Sequence, residues 1–213
     1  MAGRRWPGRV LMLLANPAQC GERSLLEVVE QAVAGGVNVV QLRAKQLPAA
    51  ELLTLARQLR GVCGPDALLL VNDRLDVALL SGADGVHLGE NSVPVAAARG
   101  LLPPSLLVGR SVHSVNAARE AEQDGADYLL VGTLFESPSH PDTPPAGVEL
   151  LESVVTRVGV PVLGIGGIRA ANVDQCWAAG AAGVAVQSAI ARAADPRGAA
   201  GQIAPRREES ACD

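Results

Sequence analysis

Gly82-Ala83-Asp84-Gly85-Val86 and Gly125-Ala126-Asp127-Tyr128 are two copies of one phrase, echoed by Gly35-Gly36-Val37 and Gly180-Ala181-Ala182-Gly183-Val184. In each, glycine follows an amphipathic stretch, and small residues lead straight into an apolar run. Glycine reaches the left-handed conformation that stops a helix, and small side chains let the chain turn at once into a strand. The first glycine of each phrase is expected to make that stop. A joint that recurs through all 213 residues predicts repeated β/α units.

The apolar runs around these joints fall at 10–14, 37–42, 67–71, 85–88, 106–109, 128–131, 160–165 and 183–186. They are continuously apolar, as parallel strands buried on both faces are. Amphipathic helices are predicted over 24–34, 49–62, 116–124, 148–157 and 171–179, the first opened by Ser24 with Glu27 in a capping-box spacing. The fold class that follows is α/β, a single (β/α)8 TIM barrel over residues 1–204, with an open doubly wound sheet as the alternative. Residues 205–213 are charged and aperiodic, and a frayed, disordered tail is expected there.

Composition agrees with this. Hydrophobic residues make up 48% and aromatics 2%, so the core is built from aliphatic side chains rather than the rings of an all-β sandwich. The net charge of −4 gives no electrostatic reason to expect nucleic acid or an anionic membrane as partner. Four separated cysteines (Cys20, Cys63, Cys176, Cys212) favour a reduced, cytoplasmic protein over a disulfide scaffold or zinc site. The basic start is followed by an apolar run too short for a signal peptide, and no stretch approaches the ~18 residues of a membrane span. The oligomeric state stays open, a homo-oligomer included.

In such barrels chemistry sits on the loops after the strands. After the seventh run comes Gly164-Ile165-Gly166-Gly167-Ile168, and after the eighth Gln187-Ser188-Ala189-Ile190. Glycine amides and a following helix start would bind phosphate there, through Gly166, Gly167, Gln187 and Ser188; a plain tight turn is the bland alternative. Gln41, Arg43 and Lys45 close the second strand and share one side by the period-two rule, which suits a polar heterocycle or an anion; a strand end snorkelling into water is the bland alternative. Asn72-Asp73 closes the third, where it would either ligate a hard cation or cap the next helix. His87 reads as a hydrogen-bonded barrel residue. His113, in Gly109-Arg110-Ser111-Val112-His113-Ser114, lies on the loop side and is either a proton-transfer group or an exposed neighbour of a helix cap at Ser114 or Asn116.

Taken together, Gln41 to Lys45, Val71-Asn72-Asp73-Arg74-Leu75-Asp76, Gly82 to Gly89, Gly109 to His113, Gly125 to Tyr128, Ile165-Gly166-Gly167-Ile168 and Gly183 to Ile190 resemble the thiamine-phosphate synthase/TenI family, in order and over nearly the whole chain. The resemblance implies a phosphorylated thiazole as ligand and two chemistries. A synthase joins a pyrimidine pyrophosphate to the thiazole phosphate with Mg²⁺; by resemblance Gln41, Arg43, Lys45 and Asn72 surround the pyrimidine pyrophosphate, Asp73 is a metal ligand, and Ser111 lies near the pyrophosphate. A TenI-like tautomerase moves one proton on a carboxythiazole phosphate and requires no cofactor; by resemblance His113 is then the acid/base. Two departures from the synthase pattern stand out. Ser92 replaces a second metal-binding Asp, and Ser137-Pro138-Ser139-His140 replaces a Thr-x-Thr-Lys loop, so Ser137 and Ser139 remain as its hydroxyl pair. Each lost stabiliser of departing pyrophosphate would cost a few kcal/mol. On the residues the tautomerase leads, with a divergent synthase close behind and a catalytically silent thiazole- or thiamine-phosphate-binding paralogue as a third reading. Pro138, Pro141, Pro144, Pro145 and Gly147 predict an irregular loop that could act as a lid. Another phosphate-binding barrel enzyme is the remaining alternative.

Overall fold

The computed structural model describes residues 6–137 and 144–205. Eight parallel strands close into one barrel in sequence order: β1 (Val10–Ala15), β2 (Val39–Leu42), β3 (Leu68–Asn72), β4 (Gly85–Leu88), β5 (Leu107–Val112), β6 (Tyr128–Val131), β7 (Val162–Ile165) and β8 (Gly183–Val186). Closure is by β1 on β8, with Val10 opposite Gly183 and Leu13 opposite Val186. The open-sheet alternative is thereby excluded.

The helices are α1 (Leu25–Ala34), α2 (Ala49–Cys63), α3 (Leu75–Ser81), α4 (Val95–Leu101), α5 (Val115–Gln123), α6 (Gly147–Val155), α7 (Val173–Ala178), α8 (Ser188–Ala191) and α9 (Pro196–Ile203). They pack their apolar stripes on the outer faces of the strands, which is why those strands carry no polar alternation. A second, smaller cluster fills the barrel: Val10, Met12, Leu14, Val39, Leu68, Leu70, Tyr128, Leu130, Leu163 and Ala185. Trp6 packs on it from the N-terminal end and stacks on Tyr128, with ring centroids 4.5 Å apart. Cys20, Cys63 and Cys176 are buried. Among the described residues no helix is long and apolar enough to cross a membrane.

Two local expectations need correction. Gly82, Gly125 and Gly180 do take positive φ at their joints, but in the first joint Gly36 does so (φ 111) and Gly35 stays right-handed. Gly35 is required for space instead: a Cβ there would overlap the Arg197 carbonyl and stand 2.8 Å from Ala200 Cβ, so α9 could not seat on α1. Ser24 caps α1, but its Oγ accepts from the Leu26 N–H at 3.2 Å rather than from that of Glu27.

Candidate active site

The C-terminal ends of the strands carry the polar residues, and they form one connected arc. On β2, Gln41 is buried inside the barrel and Arg43 continues the ladder through its N–H to the Ala15 carbonyl at 2.9 Å. Lys45 lies in a turn beyond the strand, so alternation does not place it; it nevertheless reaches Asp73, Nζ to Oδ2 at 3.6 Å.

Asp73 is the only non-glycine among the described residues with positive φ (62°), a conformation aspartate tolerates better than most side chains. It does not cap α3, whose N-cap is Arg74 without a side-chain bond, and Asn72 does not either. Instead the carboxylate gathers donors: Asn72 Nδ2 at 2.6 Å, Gly89 N–H at 3.1 Å, and the Ser92 hydroxyl. Burial by itself would raise the Asp73 pKa; the bonds from Ser92 and Gly89, with Lys45 and Asn72, outweigh it and lower it.

The arc continues through β4 and β5. Glu90 follows Gly89, and its Oε2 stands 3.5 Å from His113 Nε2. Arg110 braces the same loop, donating to the carbonyls of Glu90 (3.0 Å) and Val93 (3.2 Å). His113 Nδ1 is held by the Gly132 carbonyl at the end of β6, leaving Nε2 on the open side. Ser114, not Asn116, caps α5 by accepting from Ala117 N–H at 3.2 Å. The cap is thus at Ser114, and the His113 imidazole beside it is half-exposed.

From Gly132 the backbone passes to Thr133, which lies against Gly166; a Cβ on Gly166 would stand 2.8 Å from Thr133 Cα. Leu134 and Phe135 donate their N–H groups to the Ile165 and Gly166 carbonyls at 3.0 and 3.1 Å, so the loop after β6 is strapped to the loop after β7. Gly166 and Gly167 both have positive φ (99° and 66°), and Asn172 Nδ2 donates to the Gly167 carbonyl at 3.0 Å. Ile165 pairs with Ala185, so Gly167 and Gln187 leave neighbouring strands at the same level, with Ser188 opening α8. Ser137 is half-buried at the start of the loop after β6; Ser139 lies outside the described residues, as do His140 and the tail from Arg206.

Beneath the arc sits a polar core. His87 is buried as expected, with Nδ1 2.9 Å from the Tyr128 hydroxyl and Nε2 2.8 Å from Ser111 Oγ. Burial drives its pKa down to about 3, only partly opposed by Asp73. Burial likewise pushes the Tyr128 phenol well above its ordinary range, against a contact with the Gln41 side chain that favours the phenolate. Sequence reasoning missed the polar role of Tyr128, the Glu90–His113 contact and the Ser92–Asp73 contact. The signal available for Tyr128 was a lone tyrosine, with a polar tip, opening an otherwise aliphatic strand.

Residues 11–190 match the family model described as thiamine monophosphate synthase. The chain belongs to the thiamine-phosphate synthase/TenI family. A thiamine-phosphate synthase of Moorella thermoacetica is 45% identical over 86% of this chain and 88% of its own length. One from Roseiflexus castenholzii is 43% identical over 89% and 84% respectively. Among solved structures, a thiamine phosphate pyrophosphorylase from Pyrococcus furiosus superposes with a TM-score of 0.83 at 36% identity, covering 92% of this chain and 93% of its own. A 3-hexulose-6-phosphate synthase shares the fold at a TM-score of 0.71 and 20% identity.

A magnesium ion is implied for a synthase of this family, and the donors at the rim bear on whether it fits. Among the described residues no three His, Cys, Asp or Glu converge on one point. Asp73 and the Ser92 hydroxyl offer one carboxylate and one neutral oxygen. That set suits Mg²⁺ held chiefly by substrate phosphate oxygens and water, and not an all-protein cage.

Proposed function

We propose that this enzyme of thiamine biosynthesis is a thiamine-phosphate synthase, which joins a pyrimidine pyrophosphate to a thiazole phosphate. The observation that carries the reading is the continuous rim from Lys45 through Asp73, Gly89, Glu90, His113, Gly132 and Thr133 to Gly166. A single proton shift needs only one end of it; a two-substrate reaction uses both. Relatives bearing the synthase name, at 43–45% identity, support the same choice, although His113 and the loss of a second Asp at Ser92 favour the tautomerase when the residues are weighed alone.

In this reading Gly166, Gly167, Gln187 and Ser188 hold the thiazole phosphate, the glycines because backbone N–H groups can approach an anion there. Arg43 and Lys45 draw the pyrophosphate to the opposite side, and Ser111 donates to it. Gln41 and Asn72 face the pyrimidine. Asp73 and Ser92 would hold Mg²⁺, which supplies charge neutralisation to the departing pyrophosphate. The new bond forms to the thiazole ring as the pyrophosphate leaves, so the side chains hold two anions apart and align the rings between them.

Purified protein given both substrates and Mg²⁺ is expected to release thiamine phosphate and pyrophosphate. The second reading, a TenI-like tautomerase, rests on His113: its Nδ1 is fixed by a carbonyl and its Nε2 is presented beside Glu90. Aromatisation of a carboxythiazole phosphate without any coupling to the pyrimidine would transfer the assignment to that reading.

A further inference from the structure

We propose that Tyr128, His87 and Ser111 form a one-way chain of hydrogen-bond donors that ends by aiming the Ser111 hydroxyl hydrogen at a bound oxyanion, with His87 as the positioning residue. The identity of that oxyanion, pyrophosphate, rests on the synthase reading; the internal order of the chain does not.

The three residues come from β6, β4 and β5 and run from the barrel interior to its mouth. Tyr128 and His87 are buried and Ser111 is partly open. The hydrogen-bond partners of the His87 ring are two hydroxyls, with no carboxylate among them, so the ring is neutral: one nitrogen donates and the other accepts. Two orders fit those distances. Either Tyr128 donates to Nδ1 and Nε2–H donates to Ser111, or every bond runs the opposite way.

The acidity of the two hydroxyls selects the first. A phenol is a stronger acid than an aliphatic hydroxyl and hence the better donor to an imidazole lone pair, and the bond at one ring nitrogen sets the tautomer at the other. Gly109 makes the arrangement possible, because a Cβ there would overlap the Tyr128 ring.

The consequence is chemical selectivity at Ser111. One lone pair of its oxygen is taken by Nε2–H, and its own hydrogen is left for the mouth. An anion is welcomed there, and Ser111 serves it as a donor rather than serving a metal as a ligand.

Nitrogen-15 spectra of the imidazoles test the order directly. The chain holds three histidines, and loss of one signal in His87→Gln assigns the buried ring. The expected result near pH 7 is a neutral ring protonated on Nε2 with Nδ1 bare. Protonation on Nδ1, or a charged ring, overturns the proposal. Binding of inorganic pyrophosphate with Mg²⁺, followed by calorimetry, tests the consequence. His87→Asn places its amide near the Nδ1 position and should weaken binding about tenfold, whereas His87→Gln places it near Nε2 and should stay within about threefold of wild type. Equal losses in both variants, with unchanged melting temperatures, would make His87 a packing residue and refute the positioning role. A wild-type protein that binds no pyrophosphate defeats the synthase reading instead, and the tautomer then decides the chain by itself.

Discussion

Burial takes the His87 pKa down to about 3, whereas an unfolded chain takes up the same proton near 6.5. The folded pKa is therefore the lower one, and the unfolded state binds more protons between these values. Stability is whole above pH 6.5 and declines as the pH falls towards 3, by up to about 1.4 kcal/mol per pH unit from this group. Urea midpoints recorded from pH 8 to 4.5 should show that slope in wild type and lose most of it in His87→Gln. Gly167 is the other residue on which a single change should tell. A methyl group there would have to take φ 66 and overlap the Glu136 carbonyl, standing 2.8 Å from the Phe135 carbonyl carbon. Gly167→Ala should cost about 1–3 kcal/mol of strain and push the loop after β6 off the mouth. Calorimetry should find thiazole phosphate binding weakened at least tenfold; unchanged affinity would remove the glycine turn from the phosphate site.

At the level of elements, the repeated joint does more than turn the chain. Asp84 accepts from the Leu69 N–H at 2.7 Å and pairs with Arg60 of α2, while Asp127 accepts from the Val108 N–H at 2.7 Å and pairs with Arg99 of α4. Each arginine also donates to two backbone carbonyls: Gly64 and Ala67 for Arg60, Gly125 and Leu106 for Arg99. The aspartate thus ties a helix and two strands together at the barrel's N-terminal end. Asp84 is the better shielded, its side chain 13% exposed against 37% for Asp127. Asp84→Ala should cost about 2–3 kcal/mol by leaving the partly buried Arg60 guanidinium without its counter-charge and the Leu69 N–H unpaired, and Asp127→Ala about 1 kcal/mol, as measured by chemical denaturation. A reversed order would show that shielding does not set the strength of these ties. The sequence made the phrase visible and its glycines interpretable; the work of its aspartates was not legible, because their arginines lie 24 and 28 residues upstream.

For the whole molecule, closure separates two ends with different duties. Trp6 stacks on Tyr128 at the N-terminal end, while ligand-facing groups gather at the other. Trp6→Ala should lower stability by about 2 kcal/mol, for lost stacking and apolar burial. Thiazole phosphate affinity should stay within about twofold of wild type, since the mouth is not touched; a large loss of affinity at constant fold would mean that the two ends are coupled. The amino-acid sequence by itself determined the eight-unit repeat, the apolar strands and the family motifs, because these are periodic or contiguous and depend on local chemistry. It also marked Gly166, Gly167, Asp73 and His113 as belonging to strand ends. Only the tertiary structure decided that Asp73 serves Lys45, Gly89 and Ser92 rather than a helix cap, that His113 faces Glu90, and that Tyr128 reaches His87. Those contacts join residues on different strands, and their geometry exists only once the closed barrel fixes which loops meet.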